Sequence, residues 1–185
     1  MARKKNNLLS KIVMIGFLVM IILGFMIPGF IDVNEQDNGV VQPRLCNLDS
    51  DCYLLCGEKM VKVLCSENLC QQNSCEQAVY YPFSEEALEF SLSVKAEEEI
   101  NLAERIKQGN LFVTFEDDKV KSFSDLTLKI ILEKFALYFN SNCLYVDNEE
   151  FCSDEGIVIN VNGKKTYAYE FYAPKQGDLI EISLQ

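Results

Sequence analysis

The chain has 185 residues, 49% of them hydrophobic and 24% charged, with a formal net charge of −11, eight cysteines and neither histidine nor tryptophan. Without histidine there is no Ser-His-Asp or Cys-His catalysis and no imidazole metal ligation. A body this acidic repels phosphate backbones, which argues against nucleic acid as a partner.

The charge is unevenly placed. Arg3, Lys4, Lys5 and Lys11 are the only charged residues ahead of a long apolar run, so the rest of the chain stands at −15, four below the formal total. After this basic tip (1–11), the 20 residues Ile12–Ile31 contain no charge. At about 1.5 Å per residue they span about 30 Å as a helix, the thickness of a bilayer core. A cleavable signal usually has a shorter apolar region, about 7–15 residues, followed by a small-x-small site. None is evident around Gly24–Phe30. The expectation is an uncleaved single-pass anchor over 12–31, making the membrane a partner. The basic tip would be cytoplasmic and the body extracytoplasmic, with a cleaved signal as the alternative. Asp32–Leu45, with Gly39 and Pro43, reads as a linker.

Six cysteines follow within thirty residues, Cys46, Cys52, Cys56, Cys65, Cys70 and Cys75, spaced C-x5-C-x3-C-x8-C-x4-C-x4-C. So short a segment (46–79) buries too little apolar surface to fold unaided and needs staples. Three disulfides at about 2–4 kcal/mol each would supply them. A zinc or iron–sulfur site is the alternative, but such sites usually carry C-x2-C pairs, and none occurs here. No metal or other cofactor is expected, and the pairing is not readable from spacing. Cys46-Asn-Leu-Asp-Ser-Asp-Cys52 with Leu64-Cys65-Ser-Glu-Asn-Leu-Cys70 resembles small extracellular disulfide knots of the whey-acidic or EB type. Asp49 and Asp51 are candidates for a Ca²⁺ site, although two carboxylates fall short of the oxygens calcium takes; a capped turn is the other reading.

The segment 80–185 carries strand and helix periodicity. Leu88, Phe90, Leu92 and Val94 alternate with polar residues, the period of a half-buried strand, expected to add an extra hairpin to the sheet. Asn110–Phe115 and Val120–Phe123 flank Glu116-Asp-Asp-Lys119 as a hairpin. Ser124-Asp125 offers a helix N-cap, and Leu126, Leu128, Ile131, Leu132, Phe135 and Leu137 form an apolar stripe at helical spacing. Within Asn140–Glu155, Cys143 and Cys152 suit a local disulfide closing a loop or small hairpin, and the acidic surroundings make a poor setting for a reactive thiol. Ile157, Ile159 and Val161 alternate into an Asn162-Gly163 turn, and Gly177-Asp178 precedes a last alternating strand.

Asp125-Leu-Thr-Leu-Lys-Ile-Ile-Leu-Glu-Lys134, Val158-Ile-Asn-Val-Asn-Gly-Lys164 and Gln176-Gly-Asp-Leu-Ile-Glu-Ile182 resemble the helix start, strand-turn and closing strand of the ubiquitin-like β-grasp superfamily. Sulfur carriers, TGS domains and the C-terminal domains of cobalamin carriers share that order. The resemblance implies an α+β fold: a β-grasp domain, a mixed sheet with one packed helix, beside the disulfide-rich module and the N-terminal transmembrane helix. Sulfur carriers end in Gly-Gly, whereas this sequence ends Glu181-Ile-Ser-Leu-Gln185, so their chemistry is not implied.

No phosphate loop or nucleophile elbow appears, and an enzyme is not expected. The expected role is an anchored extracytoplasmic interaction module with an envelope protein as partner. Its binding face is Tyr167, Tyr169, Phe171 and Tyr172, rings clustered on one hairpin. A small-ligand or Ca²⁺ binder and a thiol-redox protein are the alternatives.

Overall fold

The computed structural model describes residues 11–19, 42–147 and 149–185. Residues 11–19 form an α-helix, α1. Val41–Gln185 form one compact unit, distinct from Met1–Val40. Two expectations are corrected here. The expected α+β fold gives way to a sheet-rich one: among the described residues the chain is mostly sheet, with thirteen strands and only two short α-helices. No described helix is long and apolar enough to cross a membrane, which removes the basis for the single-pass membrane localisation. Residues 1–10 and 20–41, over which most of the basic tip, anchor and linker were placed, lie outside the described residues.

The disulfide-rich region is built from two hairpins, β1 (Tyr53–Cys56) with β2 (Lys59–Lys62), and β3 (Cys65–Ser66) with β4 (Leu69–Cys70). Each closes through two residues. Glu67 and Asn68 both have positive φ (53° and 60°), the twist a tight hairpin requires. Three disulfides link the first half of this region to the second in sequence order, Cys46–Cys65, Cys52–Cys70 and Cys56–Cys75. Cys46, Cys52, Cys65 and Cys70 are buried with Leu54 and Val63, so sulfur forms much of this small core. The last residues of the expected linker belong to the fold. The Arg44 guanidinium donates to the carbonyls of Asp51 (3.1 Å) and Tyr53 (2.9 Å).

The main sheet has six strands in the order β12-β11-β13-β5-β7-β6. These are β5 (Leu88–Lys95), β6 (Val113–Glu116), β7 (Lys119–Ser122), β11 (Ile157–Val161), β12 (Lys164–Lys165) and β13 (Leu179–Leu184). The expected hairpin is present as β6–β7 and turns at Asp117 and Asp118, both at positive φ. It lies at the rim. The strand over Leu88–Lys95, expected as a possible addition, is instead central: β5 pairs in parallel with β13 and antiparallel with β7. Phe90, Leu92 and Val94 of β5 and Ile180 and Ile182 of β13 are buried, while Ser91, Ser93 and Glu181 alternate with them. The expected Asn-Gly turn joins β11 to β12, with Asn162 at φ +53° and Gly163 at +74°.

The helix α2 (Leu128–Lys134) is seven residues long, shorter than its apolar stripe. Its start is not capped by Ser124. Thr127 occupies the cap position without a side-chain bond, and the Leu128 N–H donates to the Tyr172 carbonyl at 2.7 Å. It ends because Ala136 turns to φ +56°, sending Leu137 into β8 (Leu137–Phe139). Leu126 and Leu137 are buried without being helical. A second small sheet, β10-β9-β8, carries the expected Cys143–Cys152 disulfide across β9 (Cys143–Val146) and β10 (Glu149–Cys152), where the two cysteines are direct cross-strand partners.

The disulfide region and the sheet share one anchor. Asp49, in a 3₁₀ turn over Asp49–Asp51, is fully buried. Its Oδ1 accepts from Lys134 Nζ (2.7 Å) and Cys65 N–H (2.9 Å), and its Oδ2 from Leu111 N–H (2.9 Å) and Phe112 N–H (3.1 Å). Lys134 Nζ also donates to the Cys65 carbonyl. Breaking such a pair from one side strands a buried charge, at about 3–5 kcal/mol. Asp49→Ala should lower unfolding free energy by about that amount in urea titration. The double variant Asp49→Ala/Lys134→Met should stay well below wild type, because three amides still lose their acceptor. Full recovery in the double variant would reduce the anchor to a charge pair alone.

Candidate interaction face

Thirteen residues, 166–178, connect β12 to β13, and they hold all four rings expected to form a binding face. The structure sorts them into two pairs. Tyr167 and Phe171 are exposed, at 76% and 73%. Tyr169 and Tyr172 are half-buried and pack against the main core. The reason is a single 3₁₀ turn over Tyr169–Phe171, with the Phe171 and Tyr172 N–H groups donating to the Ala168 and Tyr169 carbonyls. Tyr169 sits at φ +46°. Left-handed backbone is uncommon for a bulky residue and persists only where the surroundings hold it. Lys165 Nζ lies 5.8 Å from the Tyr167 ring centroid, within cation–π range.

The loop is fixed from below at Asp178, which is buried. Its Oδ2 accepts from the Tyr172 hydroxyl (2.6 Å) and the Lys175 N–H (2.8 Å), and its Oδ1 from the Asn162 side-chain amide (2.9 Å). Asn162 Oδ1 in turn accepts from Leu179 N–H, and the Asp178 carbonyl accepts from Ser91 N–H. The Gly-Asp turn anticipated from sequence is thus satisfied by its own loop and also by a tyrosine and an asparagine that sequence reasoning did not connect to it. Burial and the bond to Asp178, then its charge, push the Tyr172 hydroxyl up to about 12. Burial acts to raise the Asp178 carboxyl. The bonds from Tyr172, Lys175 and Asn162 outweigh it and hold the group below the usual carboxylate range.

The other candidate positions have structural partners. Both Asp49 oxygens are occupied by protein donors, and one Asp51 oxygen accepts from the Asn47 and Leu48 N–H groups, which hold that carboxyl low. Asp51 therefore caps a turn, and Asp49 is engaged by donors of the protein itself. All eight cysteines are in disulfides. Comparison with known protein families, curated proteins and solved structures returned no match. Nothing among the described residues points to catalytic activity.

Because its folded pKa lies below its unfolded one, Asp178 contributes stability that is present above the ordinary carboxylate range and lost as pH falls through the folded pKa. Asp178→Asn should cost about 1–3 kcal/mol near neutrality. The gap between variant and wild type in denaturant titrations should narrow progressively as the solution is acidified. A gap that stays constant down to the lowest folded pH would show that Asp178 ionisation is not what stabilises the loop.

Proposed function

We propose that this chain is a non-catalytic protein-interaction module that works outside the reducing cytosol, with Tyr167 and Phe171 as its principal contacts. One observation carries the reading: two large rings stand in solvent on a turn whose other two rings are anchored in the core. Rings held this way lose little conformational freedom on binding, and aromatic side chains dominate the energetics of protein contacts. Four disulfides that engage every cysteine support an oxidising compartment, since thiols in the cytosol are kept reduced.

Replacing both exposed rings, Tyr167→Ala/Phe171→Ala, should change stability by no more than about 0.5 kcal/mol, as for surface positions generally. Tyr169→Ala, which removes a ring leaning on the core, should lower the melting temperature clearly. Benzoylphenylalanine installed in place of Tyr167 or Phe171 and irradiated in the producing cells should give a discrete higher-mass adduct. The same group in place of Tyr80, which is also exposed, should not. Equal adducts from all three positions, or none from the first two, would defeat the assignment.

A further inference from the structure

A second surface lies where the main sheet is locally incomplete. Pairing between β5 and β7 covers only Leu88–Phe90. The next contact on that side of β5 is the isolated bridge between Lys95 and Glu99, with the Ile100 N–H donating to the Val94 carbonyl at 2.9 Å. Ser91 N–H points the other way, to Asp178 on the β13 side. Strand alternation therefore turns the Leu92 peptide groups toward the gap, and among the described residues no strand pairs with them there. The cavity in this gap measures about 560 Å³ and is lined by Leu92 itself.

The chemistry of the lining is one-sided. Glu99, Asp118 and Glu181 bring three carboxylates, Ile100, Phe115 and Leu179 bring apolar surface, and no lysine or arginine lines it. Among the described residues none of the three carboxylates forms a salt bridge. Elsewhere on the same sheet carboxylates are matched: Lys121 lies 2.7 Å from Glu116 and 3.8 Å from Glu89.

We propose that this gap is a docking site for an extended cationic peptide segment, which enters the cavity and bonds to β5 at Leu92, the residue between the Phe90 pairing and the Val94 carbonyl bond. Its main chain would meet the Leu92 peptide groups, its Lys or Arg side chains the Glu99, Asp118 and Glu181 carboxylates, and its apolar side chains Leu179 and Phe115. Main-chain bonds would give such a segment affinity and alternate side chains its selectivity, as in other modes of extended-peptide recognition. The site is separate from the Tyr167/Phe171 loop and does not rest on that reading.

The test uses the full chain and a fluorescein-labelled Val-Lys-Val-Lys-Val amide, followed by fluorescence polarisation at low and physiological salt. Saturable binding is expected, weakening with salt. A Val-Glu-Val-Glu-Val peptide and a fully N-methylated copy of the lysine peptide should bind at least tenfold more weakly. Glu99→Gln/Glu181→Gln, both at exposed positions, should weaken the lysine peptide about tenfold. Glu149→Gln/Glu150→Gln, exposed acids on β10, should change it less than twofold. Absence of saturable binding, or equal binding of the glutamate peptide, would overturn the proposal. So would an N-methylated copy that binds as well, because that would leave a diffuse acidic surface in place of main-chain recognition at Leu92. The peptide comparisons use wild-type protein, so the result does not depend on either variant folding.

Discussion

The structure depends on one buried carboxylate. Asp49 is the fourth residue of the disulfide-rich segment that begins at Cys46 and can form no substantial core, yet its oxygens reach helix α2 and the backbone entering β6. A carboxylate taken out of water loses several kcal/mol of solvation. Here the loss is met by four donors, three of them backbone N–H groups that would otherwise lack partners in a buried setting. A pair of leucines would fill the same space without satisfying those amides. The ion pair consequently fixes position as well as contributing stability: the Asp49 turn can occupy only the place where Cys65, Leu111, Phe112 and Lys134 converge.

Around that anchor, further contacts make the disulfide region an integral part of the fold. Leu64 is buried in the main core cluster, not in the small sulfur-lined one. Glu133 on α2 accepts from the Ser66 hydroxyl and the Glu67 N–H, both at 2.7 Å, and Lys129 pairs with Glu67. Gly109 closes the other side. Its carbonyl accepts from Ser50 N–H, its φ is +100°, and a Cβ there would lie 2.9 Å from Ser50 Oγ. A side chain at that position would push the Asp49 turn away from its donors. The disulfides restrict the unfolded chain of residues 46–75, while Asp49, Leu64 and Glu133 determine where the folded region sits. These are separate tasks, and cysteine spacing carries information about the first alone.

What could be read from sequence follows the same division. Short-range features were legible because their causes are local: the Leu88–Lys95 alternation, the Glu116–Lys119 and Asn162-Gly163 turns, and the Cys143–Cys152 closure. Pairings between distant residues were not. Nothing in Leu88–Lys95 announces that its neighbour is the last strand, since partner choice is made by packing across the whole chain. The end of α2 at Ala136 was hidden because alanine favours helix, and its positive φ is imposed by the route of Leu137 into β8. Asp49 was read as a turn or cation residue because an acid between two cysteines looks solvated, and its partner Lys134 is 85 residues away. The rings at 167–172 were expected on one hairpin; they lie instead on the connection between β12 and β13, which do not pair with each other, and only the geometry of the 3₁₀ turn separates the exposed pair from the anchored one.

The two surfaces assigned a binding role meet at a single residue. Asp178 receives the Tyr172 hydroxyl, and so holds the base of the loop that lifts Tyr167 and Phe171. Through Asn162 it also fixes the N–H of Leu179, the first residue of β13 and part of the lining of the β5 gap. Its carbonyl receives Ser91 N–H, which sets β5 against β13 at the same point. The loop therefore cannot shift at its base without loosening the start of β13, and the gap cannot widen along β13 without straining the loop. A buried acid with three donors is a stiff joint, since each bond left unmade costs more than a made one contributes. Asp49 joins the disulfide region to the sheet and Asp178 joins the exposed rings to the sheet's incomplete edge. In both places a buried carboxylate holds together backbone segments that hydrophobic packing alone would leave free to slide.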